Sequence, residues 1–446
     1  MRASLEVSMC RVGLVAALVS GSISSALAQL PNASAAAHGM GGNFTAIAKG
    51  YEAVAWNPAN LAMPGRPFLS LGLGIFGGNA GLEPIDVTAL NAFSGKVVDS
   101  VTRVAWIDQV RLAGKQRGKV DAGVTPIALS LGPFGLQVGT SFYSNVDLSP
   151  DAFEAIMFGN AGNNSSQPKT LDFTGTSIRS GAISAGGLSF ATPLPVKLTG
   201  GFLSNERAAI GITGKYVVGH ALVLADDIGS VLGTDDIQLR FPVITVRTDD
   251  ALVLSPDDEY KGVAGTGVGA DVSLAWSGGP WKIGVLAENV FNSFKWDTTK
   301  LAYLPGTGTF QQGSNSTDFD EQPYGNAPQA LRDLVAAQQF KPALAIGAAF
   351  RPMSSLTLTA DMKTYTGGDE AIIFGPRSHF GVGAEWRILP FIPLRGGIAS
   401  ITDGWQAGAG AGFRLLGYEL GVSTSIRRRG PATESGVMIG VVGIGR

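Results

Sequence analysis

Apolar residues alternate with small or polar ones along most of this chain, and no apolar run of about 18 residues follows the N-terminal stretch. In SHFGVGAEWRI, Phe380, Val382, Ala384, Trp386 and Ile388 share one face, and His379, Gly381, Gly383, Glu385 and Arg387 the other. Leu356, Leu358, Ala360 and Met362 oppose Thr357, Thr359, Asp361 and Lys363 in the same way. Val268, Ala270, Val272, Leu274 and Trp276 oppose Gly269, Asp271 and Ser273, and Tyr418, Leu420, Val422 and Ile426 oppose Glu419, Gly421, Ser423, Ser425 and Arg427. A period of two means strands with one apolar face. A soluble sandwich would turn its polar face to bulk water. Here that face is mostly Gly, Ala and Ser. Charged residues make up only 15% of the chain, and 62 of 446 residues are Gly. Mean hydropathy is +0.21. Such a composition without long apolar runs fits strands that face lipid on one side and a crowded lumen on the other.

The pattern predicts about fourteen strands, near 67–77, 121–131, 134–147, 170–190, 209–225, 263–277, 280–296, 341–351, 354–364, 378–388, 391–401, 405–416, 417–426 and 434–444. Connections after even-numbered strands are mostly tight, and those after odd-numbered strands mostly long, the asymmetry of an outer-membrane barrel. The connection 191–208 is long for a turn, and 237–254 has the look of a further hairpin arm. Trp276, Trp281, Trp296, Trp386, Trp405 and Tyr418 stand at strand ends, where an interfacial aromatic girdle belongs. The expected fold is an all-β, antiparallel transmembrane barrel in the outer membrane of a Gram-negative-type bacterium, over residues 67–446.

Residues 1–28 read as a secretory signal: Arg2 and Arg11 come early, Val12 to Leu27 is apolar and small, and Ala26-Leu27-Ala28 is a cleavage site before Gln29. The only cysteine, Cys10, leaves with it, so the exported chain has no thiol chemistry. A formal net charge of −2 excludes nucleic acid as an expected partner.

Residues 29–66 precede the first strand and are kinked, half-apolar and rich in small residues. About fourteen strands enclose a wide lumen, which leaks unless filled. This segment is therefore expected to fold back as a hatch, with Trp56 supplying most of the apolar contact and Asn57-Pro58-Ala59 packing on wall glycines. Asn57 before Pro58 is a helix cap followed by a first-turn proline; Asn60 belongs to the same stretch.

HGMGGNFTAIAKGYEAVAWNPANLA resembles the N-terminal hatch of the FadL/TodX outer-membrane transporters, with Asn57-Pro58-Ala59 and Leu61-Ala62 matching and Asn60 where a glycine is common. AAIGITGKYVVG (208–219), KPALAIGAAFRP and IPLRGGIA resemble the same family and its PorV-type relatives in protein secretion. The resemblance implies a fourteen-stranded barrel with a lumenal hatch that carries hydrophobic small molecules, of the long-chain fatty acid or aromatic hydrocarbon class. Its alternative is a PorV-like scaffold or shuttle that meets secretion machinery. The chain departs from the pattern by ending in Gly445-Arg446 rather than an aromatic.

Other motifs are weak. GLGIFG (72–77) fits G-x-G-x-x-G but lies inside an alternating run, not at a helix start. His38, His220 and His379 are far apart, and no nucleophile or metal motif is present. No catalytic residue, cofactor or metal is expected. Asp361, Lys363, His379, Glu385 and Arg387 are expected to form one polar network in the lumen, because charges enclosed by a barrel need partners. The aspartates of 226–259 suggest a solvated loop or a cation site. Arg427-Arg428-Arg429 suggests a solvated run or contact with lipopolysaccharide phosphates. Segments 100–112 and 328–340 have helical spacing, with Val101, Val104, Ala105 and Ile107 on one face, and Leu331, Leu334, Val335 and Gln338 on another.

Overall fold

The computed structural model describes residues 30–31, 34–159, 169–251, 261–311, 314–366, 372, 375–429 and 432–445. The signal, its cleavage site and Asp257-Asp258-Glu259 lie outside them. Fourteen antiparallel strands close into a barrel. They are β1 Leu69–Glu83, β2 Gln116–Leu131, β3 Phe134–Leu148, β4 Ser177–Leu194, β5 Arg207–Asp226, β6 Gly265–Gly278, β7 Trp281–Asn292, β8 Ala343–Met353, β9 Leu356–Tyr365, β10 Ser378–Leu389, β11 Ile392–Ile401, β12 Gly404–Leu415, β13 Tyr418–Arg429 and β14 Ala432–Gly445. Each strand pairs with the next, and β1 pairs with β14 to remove both edges.

The alternation maps onto the two faces of the wall. Phe380, Val382, Trp386 and Ile388 are exposed on the lipid side, whereas His379, Gly381, Gly383 and Glu385 are buried inside. At one end the turns are Gly132-Pro133, Gly279-Pro280, Ser354-Ser355, Pro390-Phe391 and Leu416-Gly417. An aromatic belt surrounds this end. Phe134 meets Phe190 at 5.2 Å, Trp281 meets Phe350 at 4.5 Å, and Phe391 meets Phe413 at 6.1 Å between ring centroids. Three of the six expected girdle residues are not in it. Trp405 stands at the other end, paired with Ser400 beside the turn between β11 and β12. Trp276 is buried under the 195–206 connection, where its indole donates to Glu206 at 2.9 Å. Trp296 is buried among the outer loops against Phe294.

Strands β8 to β11 have 10–12 residues, enough to cross a membrane at ordinary tilt. Strands β1 to β6 have 14–20 and rise higher. The long loops stand on that taller half. Over its described residues, 237–251, the expected further arm is not a barrel strand; residues 252–254 lie outside the described residues. Asp236–Arg240 joins a separate five-stranded loop sheet, and Val243–Val246 pairs with the top of β5 and with Leu301–Leu304. The helix Gln329–Ala337 buries Leu331 and Val335 as expected. The helix Ser100–Ala113 instead buries Trp106, Ile107 and Val110 and leaves Val101 exposed. Its apolar partners are Ile85 and Phe153 from neighbouring loop segments, so tertiary packing chose a face about one position round from the expected one.

Candidate functional site

Residues 34–66 lie inside the barrel, and local chemistry dictates their path. Ser34 caps the helix Ala35–Gly39 by accepting from the Ala37 amide at 3.0 Å. Gly41 and Gly42 then turn the chain with φ of 64° and 88°, a region that favours glycine. The chain next runs through two short turns of helix, Ala53–Trp56 and Pro58–Ala62. Asn57 caps the second, its Oδ1 accepting from the Ala59 amide at 3.1 Å.

Several polar groups of this segment bond to the wall. Asn57 Nδ2 donates to the Leu274 carbonyl at 3.2 Å, and the Ala59 amide also reaches Ser273 Oγ at 2.9 Å. Asn43 holds β9 and β10 together: Nδ2 donates to the Val382 carbonyl at 3.0 Å, Oδ1 meets His379 Nε2 at 3.0 Å, and its carbonyl accepts from Thr359 Oγ1 at 2.9 Å. The Thr45 amide donates to Asp361 at 2.9 Å, and Gln406 Nε2 donates to the Gly41 carbonyl at 2.6 Å. His38 sits between Ser423 and Ser425, 3.0 Å from each hydroxyl. Burial, and then the Arg427 guanidinium, push the His38 pKa down to about 4, so its imidazole is neutral. Without these bonds each buried polar group would cost roughly 1–3 kcal/mol.

Close approach requires a bare wall. A Cβ at Gly397 would collide with the Met40 carbonyl, one at Gly211 with the Pro58-Ala59 backbone, and one at Gly284 would stand 2.6 Å from Asn57 Nδ2. Gly72 of the GLGIFG run lies within β1, where it faces the Tyr51 ring.

Asn57, Pro58, Ala59 and Asn60 are all buried, and Asn60 Nδ2 donates to the Thr45 carbonyl at 3.2 Å. Trp56 does less than expected. It is half-buried and leans edge-on against Phe44 at 5.8 Å, while Met40, Phe44, Val54 and Leu61 are the deeply buried apolar side chains.

The expected single lumen network is two separate groups. Asp361, Lys363 and His379 stand above the segment, where Lys363 pairs with Glu288 at 2.6 Å. Glu385 and Arg387 stand below it, where Glu385 pairs with Arg387 at 2.8 Å and Arg395 at 2.9 Å. His379 and Glu385 share a strand but are separated along it by six residues, about 20 Å at the usual strand rise. Sequence reasoning missed His38, Asn43 and Gln406, and the buried pair Lys215–Asp271 at 2.5 Å. Inward alternation marks Gln406, Lys215 and Asp271, but nothing local pairs them with residues tens of positions away. Arg427 turns inward to Asp121 at 3.4 Å and Arg429 to Glu434 at 3.7 Å, leaving only Arg428 of that run exposed. Asp226 pairs with Arg179 at 2.7 Å, and Asp227 accepts from the Gly229 and Ser230 amides. Among the described residues no group of three metal-ligating side chains converges.

Above the segment a cavity of about 190 Å³ is bordered by Trp56, Asp361, Lys363, Tyr365 and His379. Beside it the upper lumen is filled by an apolar cluster that includes Leu224, Ile244, Phe294, Trp296, Leu331 and Phe340.

No protein-family model matches the chain, and no curated protein matches it in sequence. Solved structures do. The TodX monoaromatic hydrocarbon channel, as a deltaS2S3 mutant, is 12% identical over 92% of this chain and 97% of its own, with a TM-score of 0.50. In fold, this chain is similar to the FadL/TodX-type outer-membrane channels. The Ralstonia pickettii toluene transporter TbuX is 12% identical over 94% and 99%, with a TM-score of 0.47. A Pseudomonas aeruginosa FadL homologue is 10% identical over 95% and 99%, with a TM-score of 0.46.

Proposed function

We propose that the chain is a passive outer-membrane channel for hydrophobic small molecules, of the fatty acid or aromatic hydrocarbon class, with residues 29–66 as its hatch. The observation that carries this reading is the filled lumen: a closed barrel with a lipid-facing apolar wall holds its own N-terminal segment across the bore through hydrogen bonds and glycine contacts. Hydrogen bonds to uncharged partners are individually modest, so such a segment is held firmly yet is movable. The likeness to a channel described as conducting monoaromatic hydrocarbons agrees with it. The exported chain would begin at Gln29, after cleavage behind Ala28, and would sit in the outer membrane of a Gram-negative-type bacterium among lipids and lipopolysaccharide.

Cargo would land on the outer loops. Ile85, Trp106, Ile107, Val110 and Phe153 join two loop segments in one apolar cluster, and Val97, Val101, Leu112 and Ile156 remain exposed nearby. That surface gives an apolar molecule somewhere to leave water. Transport down a gradient needs no catalytic group, and the residues of the lumen serve packing and ion pairing. The secretion-scaffold alternative has no structural observation behind it.

Uptake of radiolabelled toluene and of a long-chain fatty acid by outer-membrane-intact cells decides the matter. Expression of the chain in a host without such a channel should raise uptake of at least one several-fold over an empty-vector control. Equal uptake of both with properly inserted barrel would refute the transport reading.

A further inference from the structure

Below the N-terminal segment the lumen widens into a vestibule of about 1100 Å³, at the short-turn, periplasmic end. Eight lysine and arginine side chains border it against three carboxylates. Pairing does not cancel this excess. Glu385 is taken by Arg387 and Arg395, and Glu419 by Arg395 at 2.8 Å and Arg414 at 2.6 Å. Glu52 accepts from Ser34 Oγ at 2.6 Å. Five of the eight have no carboxylate partner among the described residues. Arg66 and Arg207 donate to the Leu61 and Glu206 carbonyls, Arg351 donates to the Ser354 carbonyl at 2.6 Å, and Lys49 and Lys282 complete the set.

Lys49, Lys282 and Arg351 come from three elements. Lys49 belongs to the lumenal segment, Lys282 to β7 and Arg351 to β8. Lys282 lies opposite Ala349, so Arg351, two residues on, shares its inward face as a diagonal neighbour at roughly 7–8 Å between backbones. The Lys49 ammonium is already held below its usual range by burial and then by Arg387 and Arg351. Like charges gathered in a concave pocket with low-dielectric walls focus a positive potential, and an anion relieves it. Arginine adds a planar fork that matches a carboxylate or phosphate. The partly buried Ile47 of the overlying segment offers a short apolar surface beside them.

The geometry points to an oxyanion-binding site in the periplasmic vestibule, with Lys49, Lys282 and Arg351 as ligands and a carboxylate, phosphate or sulfonate head group as occupant. The cavity above the segment borders Lys363 and Arg427 with Glu288, Asp361 and Asp121, so it carries no such excess of cations. The site goes beyond the uptake reading and does not depend on it, because binding is a property of the resting vestibule.

The test uses the purified full chain in an uncharged maltoside detergent at low salt, titrated calorimetrically with benzoate, inorganic phosphate and neutral benzyl alcohol. Saturable anion binding is expected, weakened about tenfold or more in Lys282→Gln/Arg351→Gln and retained within a few-fold in Arg351→Lys. Added salt should weaken it, and benzyl alcohol should give no heat that the double variant alters. Tighter binding of benzoate than of phosphate assigns the site to a carboxylate amphiphile. Phosphate bound as tightly or more so assigns it to a free ion or a phosphate head group. Lys49→Gln lies outside the wall, should lose several-fold affinity, and carries the test if the double variant does not fold to a heat-modifiable barrel. No binding of either anion to the parent, or unchanged affinity in folded variants, overturns the proposal.

Discussion

The lumen above the N-terminal segment and the vestibule below it are built by the same strands, yet they have opposite characters. Above lies a cavity of about 190 Å³, charges are paired as in Lys363–Glu288, and an apolar cluster packs beside it. Below, about 1100 Å³ is open and cations outnumber carboxylates. Alternation only decides that a residue faces inward. Its height along the strand decides which half it enters, and residues 34–66 draw the boundary between the halves. Two chambers therefore arise from one periodic wall because a non-periodic segment crosses it.

The largest effect should come from removing that boundary. Deleting residues 34–62 should leave a barrel that inserts and shows heat-modifiable migration but conducts ions freely in planar bilayers, as an unplugged wide barrel must. A deletion as tight as the parent would mean that the segment does not separate the chambers. Refilling the bare wall should act in the same direction. Gly397→Val sets a side chain against the Met40 carbonyl and should cost about 1–3 kcal/mol of docking, read as leak and as new protease sensitivity within residues 34–66.

A third comparison separates the lipid face from the vestibule. Leu358→Arg should destabilise the inserted barrel by about 2–4 kcal/mol if near the midplane, measured by urea unfolding in bilayers. Thr357→Arg points into the open vestibule and should be tolerated. Thr359 is no such control, since it is buried and donates to Asn43. Equal effects at 357 and 358 would mean that the faces are misassigned.

Acid should loosen the boundary from its upper side. The His38 pKa is depressed from 6.5 to about 4, so the neutral form stabilises docking above about 6.5, and that stability falls away as pH drops through about 4. Leak should rise over this window in the parent and much less in His38→Gln. The smallest expected change is Asn57→Ala, about 1 kcal/mol of lost capping and wall contact, seen as a modest rise in leak.

Strand number, most boundaries (the end of β1 and the starts of β2 and β4 excepted) and the inward identity of Asp361, Lys363, His379, Glu385 and Arg387 were legible in the sequence, because side-chain direction in a strand has a fixed period that local residues set. The cap at Asn57 and the turn at Gly41-Gly42 were local too. Tertiary structure alone decided that Glu385 and Lys363 stand in different chambers, that Trp276 and Trp296 are buried rather than in the girdle, and that Asn43 joins His379 and Thr359. Those facts depend on register between strands and on where a folded-back segment stops, which are set by contacts between residues hundreds of positions apart, and no periodicity along one strand carries that information.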